Sequence, residues 1–242
     1  MQYTEFEQMF LKFCTKNNVT PPAEAKIDLF HRFTEHLLTV NQVTNLTAIR
    51  DVPDIIAKHY IDSLLASPLI PQNARVLDIG CGPGFPSIPL AITRPDLQIT
   101  ALDSTQKKIN FVNDSKNLLA LDNLTAISAR AEDHDFIKEI GKFDVVVSRA
   151  VARLNILCEL ALPYVKIGGF LLAMKAAKAD EELALAQNAI KTLGGSDPSI
   201  YKCSLTPDNE IPEERALIYI KKATPTPSIY PRPFATIKKK EL

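Results

Sequence analysis

The sequence predicts an α/β fold: a mostly parallel sheet with helices on both faces, preceded by a helical N-terminal region. Three observations lead there. Short apolar segments alternate with helical ones from residue 75 onward, a glycine-rich turn follows the first of those segments, and the first 70 residues carry helical rather than strand periodicity. With 242 residues, 46% of them hydrophobic, the chain can bury a sizeable core, which excludes a disordered class.

In the N-terminal region Phe6, Met9, Phe10 and Phe13 recur at helical spacing, as do Ile27, Phe30, Phe33, Leu37 and Val40. Pro21 and Pro22 separate these two helices. The polar run NQVTNLTAIRD makes a turn, and Pro53 opens a third helix reaching about Ala66, with Pro68 and Pro71 ending it. Strands follow as RVLDI, QITALD, LTAISA, FDVVVS and GFLLAM, interleaved with helical segments at 85–93 and 105–121, a short one after LTAISA, and others at 154–165 and 179–193. SIYKCSL and RALIYIK bring the strand count to seven and end the sheet in an antiparallel hairpin. Three units are expected: a helical cap at 1–70, a ligand-binding α/β domain at 71–222, and a basic, Pro-containing tail at 223–242. The last 24 residues hold six Lys or Arg against one Glu, and their four prolines disfavour regular structure.

Charge and cysteines narrow the function classes. The 28 Lys plus Arg balance 28 Asp plus Glu, so any surface for nucleic acid must be local. Cys14, Cys81, Cys158 and Cys203 lie far apart with no C-x-x-C pair, which argues against a zinc site or a disulfide framework and for free thiols in a reducing compartment. His31, His36 and His134 lack partners, and no metal is assigned. The N-terminus has no basic-then-apolar leader and no apolar run reaches the ~18 residues that span a bilayer, so the expected location is cytoplasmic, without membrane association.

The stretch RVLDIGCGPGFPSIP is where a ligand would sit. A strand ending near Asp78 runs into Gly80, Gly82 and Gly84 and then a helix start, and ligands of open parallel sheets bind beyond the carboxyl ends of the strands. A dinucleotide fingerprint needs G-x-G-x-x-G; here the third glycine comes one residue early and Phe85 takes its place, which disfavours a pyrophosphate. Asp103, ending the second strand, can hold both hydroxyls of a ribose. Ala131 and Glu132, after the third, form the next wall. Asp78 reads as a structural acceptor for loop amides, and Phe85 either as a ligand contact or as the first core residue of its helix. His59 and Asp62, three apart on a helix, either pair locally or face the cleft. Arg149 and Arg153 offer forked donors to a phosphate or carboxylate.

Taken together these residues resemble the class I S-adenosylmethionine-dependent methyltransferases, and more closely the RsmG (GidB) family, which methylates N7 of a guanine in small-subunit ribosomal RNA. The resemblance rests on NLTA at 45–48, HYIDSL at 59–64, DIGCGPGFPSIP at 78–89, Asp103 with Ser104, RAE at 130–132, SRAV at 148–151 and Leu162 with Pro163. It implies a Rossmann-like seven-stranded sheet with its last strand antiparallel, and S-adenosyl-L-methionine as cofactor. It further implies Gly80, Gly82, Gly84, Phe85, Asp103, Ala131, Glu132 and Arg149 at that cofactor, Ala131 and Glu132 flanking its adenine. The implied partner is 16S rRNA, a small ribosomal subunit or its assembly intermediate, at the guanine-527 site, with a monomer favoured. Cys81, Ser87 and Ala176 depart from the family pattern, and the tail follows it through Tyr230, Pro231 and Arg232 before diverging as PFATIKKKEL.

Guanine N7 has an unshared pair and no proton to remove, so in-line transfer needs no general base; no catalytic acid or base is assigned, and Arg149 and His59 are positioning candidates. Arg153, Lys175, Arg232, Lys238, Lys239 and Lys240 are the candidates for RNA contact, against the reading of the tail as a solvated mobile end. The exocyclic-amine route fails for want of its Pro-Pro-aromatic run, and carbon-5 methylation for want of a suitable cysteine. The alternatives are a methyltransferase for another RNA or a small molecule, a nicotinamide-dependent oxidoreductase, and a noncatalytic RNA-binding module.

Overall fold

A computed structural model describes residues 1–242. Seven strands, β1 (Arg75–Ile79), β2 (Gln98–Asp103), β3 (Leu124–Ser128), β4 (Phe143–Arg149), β5 (Val165–Lys175), β6 (Gly195–Leu205) and β7 (Glu213–Lys222), form one sheet in the order β3-β2-β1-β4-β5-β7-β6. The first five pair in parallel, and β7 runs antiparallel to both β5 and β6. Strand order therefore reverses between β1 and β4, and a crevice opens there beyond their carboxyl ends.

Side chains along each central strand alternate between two cores. Val145 and Val147 of β4 join a cluster with the N-terminal helices, whereas Val146 joins one on the opposite sheet face. The first cluster draws in Phe6, Phe10 and Phe13 of α1 (Tyr3–Lys16) and Ile27, Phe30 and Phe33 of α2 (Glu24–Thr44) together with Val76, Ile99 and Leu172 of the sheet. The N-terminal helices and the sheet thus share one continuous core. A third helix, α3, spans residues 52–64, with Pro53 in its first turn, an Asp51 side chain accepting from Asp54 N, and π-helical turns over Ile55–Ile61. π-turns are rare and cluster at functional sites; this one carries His59.

The remaining helices are α4 (Ser87–Thr93), α5 (Gln106–Leu119), α6 (His134–Ile140), α7 (Leu154–Ala161), α8 (Ala179–Leu185), α9 (Gln187–Thr192) and α10 (Phe234–Lys239). Two expectations change. The helix expected at 154–165 stops at Ala161 because Pro163 cannot continue it, and the chain enters β5 at Val165 through one tight turn. The tail expected to lack regular structure forms α10, whose Ile237 is fully buried against Ile156 and Leu160 of α7; its prolines precede the helix rather than interrupt it.

Candidate active site

The glycine loop leaves β1 at the switch point. Gly80 N and Cys81 N both donate to Leu102 O of β2, at 2.7 and 3.1 Å, which pins the loop across the strand end. Gly80 has φ +72°, and a Cβ there would collide with the Val151 side chain, so both conformation and space demand glycine. The buried Asp103 carboxylate then ties two turns together: one oxygen accepts from Gly82 N at 3.0 Å, the other from Thr105 N at 2.8 Å, with Lys108 Nζ 3.8 Å away. A carboxylate has about four acceptor sites, so Asp103 keeps capacity for a ligand. Beneath the loop Asp78 is wholly buried. One oxygen accepts from the Ser87 amide and hydroxyl, and the other has no partner. Burial drives its carboxyl up to about 7 against the opposing pull of the Ser87 bonds.

Above this loop lies a cleft of about 340 Å³, lined among others by Gly80, Asp103, Ala131, Glu132, Val151, Leu160 and Phe234. A second cavity, of about 700 Å³, opens on the far side of the Ala150–Val151 segment, which lines both. Ala150 has φ +57°, a strained conformation for a residue with a Cβ, and it sits where the two cavities meet.

Side chains from distant elements converge in the second cavity. Arg149, ending β4, donates through Nη1 to Lys58 O at 2.6 Å and Asp62 Oδ2 at 2.9 Å, and through Nη2 to His59 Nδ1 at 3.1 Å. Asp62 offers its other oxygen to Arg215 Nε of β7 at 2.8 Å, and Arg215 also holds Glu213. The His59 ring stacks on Phe85 at 4.2 Å and 12°, with the Arg149 guanidinium 5.4 Å from the same phenyl. Burial, then the Arg149 charge, push His59 down to about 3, so its imidazole is neutral. With Nδ1 accepting from Arg149, the ring proton sits on Nε2 and is donated to Thr47 Oγ1 at 2.9 Å. Neither nitrogen is free to act as a base.

Of the expected cofactor residues, Gly80, Asp103, Ala131 and Glu132 line the first cleft. Gly82 supports it through its amide to Asp103, and Gly84, at φ +100°, packs against Ile88 at the helix start. Phe85 is a core residue beneath the second cavity, and Arg149 lines that cavity. His59 and Asp62 do not pair with each other; both meet Arg149. Cys81 is buried under the loop, and Ser87 bonds Asp78, so these two departures face the interior.

Among the expected RNA contacts, Arg153 is exposed, lies 3.9 Å from Glu241 and lines the second cavity; Lys238, Lys239 and Lys240 are exposed on and after α10. Two candidates are engaged by acidic partners: Lys175, which lines the second cavity, lies 2.7 Å from Glu182 and donates to Ala152 O, and Arg232 pairs with Glu159 at 2.6 Å. Sequence reasoning missed Arg215 as the second partner of Asp62, and Leu160 and Phe234 as cleft walls; no local pattern marks them, because each reaches its place through the tertiary fold. A larger cavity, about 870 Å³, lies at the amino ends of the strands, where Arg94 is spent on Asp96 and Lys26 on Thr93 O, leaving no convergent free group.

The sheet order, with a glycine loop and a carboxylate meeting at the switch point, defines a class I methyltransferase fold. An O-methyltransferase from Bacillus cereus solved with SAH shares that fold with a TM-score of 0.54 at 17% identity, over 78% of this chain and 90% of its own. The family described as rRNA small subunit methyltransferase G (GidB) matches residues 26–211. Relatives bearing the name ribosomal RNA small subunit methyltransferase G include one from Desulforamulus reducens, 44% identical over 84% of this chain and 85% of its own. Another, from Lactobacillus delbrueckii subsp. bulgaricus, is 36% identical over 97% and 99%. The chain belongs to the rRNA small subunit methyltransferase G family.

Proposed function

We propose that this protein transfers a methyl group from S-adenosyl-L-methionine to N7 of a guanine in 16S rRNA, at the guanine-527 site that its family resemblance implies, in the cytoplasm. The observation that carries the reading is the pair of cavities sharing the Ala150–Val151 wall, one shaped for a nucleoside and the other carrying cations for an RNA acceptor.

The residues of the first cleft fit the cofactor. Asp103 has spare acceptor sites for a ribose diol, Gly80 presents bare backbone for close approach, and Ala131 and Leu160 supply apolar surface for a flat base, with Glu132 at its rim. When bound, the cofactor would supply an electrophilic methyl on a sulfonium, whose transfer to the unshared pair of N7 would break the carbon–sulfur bond and leave neutral S-adenosylhomocysteine.

This chain's own contribution is alignment, which can lower a barrier by roughly 7 to 11 kcal/mol in well-oriented systems. Arg149 is fixed by three acceptors from α3, so its guanidinium keeps one orientation at the cavity wall. Asp62 is locked between Arg149 and Arg215, which joins the N-terminal helices to the far side of the sheet. Neutral His59 holds Arg149 without adding positive charge next to it. Arg153, at the open rim, is available to an RNA phosphate.

The test is to incubate purified protein and methyl-labelled cofactor with either 16S rRNA or small ribosomal subunits and to digest the product to nucleosides. Label in 7-methylguanosine supports the proposal; label confined to another nucleoside, or to a small molecule, overturns it.

A further inference from the structure

We infer that the C-terminal strap, residues 230–242, is a wall of the cofactor cleft, with Phe234 closing the adenine end and the Arg232–Glu159 ion pair holding it in place. The inference rests on the function proposed above and adds to it a binding residue and a positioning pair from a segment beyond the family match at 26–211.

The strap is fastened at several points. Glu159 of α7 is fully buried and accepts from Arg232 three times: from N and Nε at 2.8 Å on one oxygen, and from Nη2 at 2.6 Å on the other. A buried carboxylate is costly unless its lone pairs are filled, and a forked guanidinium plus a backbone amide fills them. On either side, Pro231 O bonds His134 Nε2 at 2.7 Å and Glu241 Oε2 accepts from Asn155 Nδ2 at 2.8 Å. Between these anchors Ile237 is fully buried against Ile156 and Leu160.

This fastening puts Phe234 at the cleft. Its ring is half-buried, lines the cleft beside Leu160, and packs on the same small apolar cluster as Ala131. Ala131 belongs to the wall assigned to adenine, so Phe234 lies at that end rather than at the glycine loop. A phenyl left half-exposed at a cleft mouth gains cover from a flat purine, and base–aromatic contacts are sequence-tolerant, sizeable interactions.

The experiment is calorimetric titration of the full chain with S-adenosylhomocysteine, beside a binding assay with an rRNA fragment. Phe234→Ala should raise the S-adenosylhomocysteine Kd about tenfold, with Phe234→Tyr close to wild type, because a flat aromatic face is what the wall supplies. The paired change Glu159→Gln with Arg232→Gln should raise Kd similarly and add little on top of Phe234→Ala, as expected when the pair acts through the phenyl. In turnover assays the KM for the cofactor should rise in these variants and kcat hold, and RNA affinity should not move. An unchanged Kd in Phe234→Ala, in a wild type that binds normally, overturns this inference alone. A loss of RNA affinity in place of cofactor affinity also overturns it, and a wild type that binds no S-adenosylhomocysteine overturns it together with the proposed function.

Discussion

The two cavities that meet at Ala150 and Val151 are built by different means. The proposed cofactor cleft is built from backbone on its loop side: a glycine loop pinned to Leu102 O and one carboxylate, Asp103, that accepts from two loop amides. The proposed acceptor cavity is made of side chains, His59, Asp62, Arg149 and Arg215, drawn from α3, β4 and β7 into one charged chain. Backbone shape suits a ligand whose form never varies. A network of side chains suits the selection of one base among many, since its geometry follows from residues that can change.

The largest expected effect is on the acceptor side. Asp62→Ala strands two arginines that share one carboxylate, and breaking such buried pairs costs about 3 to 5 kcal/mol, measurable by urea unfolding. A loss under about 1 kcal/mol would show that solvent screens the pair. On the cofactor side, Asp103→Ala removes a charged hydrogen-bond partner of a ribose, each such bond being worth about 1.5 to 3 kcal/mol. Calorimetry should find S-adenosylhomocysteine binding weakened by that order, and unchanged affinity would remove Asp103 from the site.

Glycine substitutions test whether the cleft is backbone-built. Gly80→Ala and Gly82→Ala both incur left-handed strain of about 1 kcal/mol, but only at Gly80 does the added Cβ meet Val151. Thermal unfolding should rank Gly80→Ala well below Gly82→Ala; equal melting temperatures would mean the wall moves aside.

Effects on pH dependence have opposite signs in the two regions. Asp78, raised to about 7, contributes stability fully present below its unfolded value of about 3.8 and lost as pH rises through about 7. His59, lowered to about 3, contributes stability present above its unfolded value of about 6.5 and lost as pH falls through about 3. Asp78→Asn should therefore flatten the loss on the rising side and His59→Gln the loss on the falling side. Urea midpoints across pH 3 to 8 read both, and slopes that survive the substitutions would assign the titrations elsewhere.

The same contrast explains what was legible in the sequence. Gly80 and Asp103 could be found because a strand, a tight turn and the next strand end fix them by local spacing. The seven strands were found because their alternation is local too. Arg215 could not be found as the partner of Asp62, 153 residues away, and two cations misled: Arg232 in the tail and Lys175 at the end of β5 look free until the fold supplies Glu159 and Glu182. Phe234 is a cleft wall only because Ile237 and Glu159 dock the strap.

The central claim, that one cavity binds the cofactor and the other aligns the acceptor, meets its most direct test in Arg149→Met, with S-adenosylhomocysteine affinity and methyl transfer to 16S rRNA measured side by side. The account predicts an affinity close to wild type and transfer lowered about a hundredfold, the scale expected when a reacting group is misplaced by about 1 Å. A loss of affinity as large as the loss of transfer would place Arg149 at the cofactor and contradict the division between the two cavities.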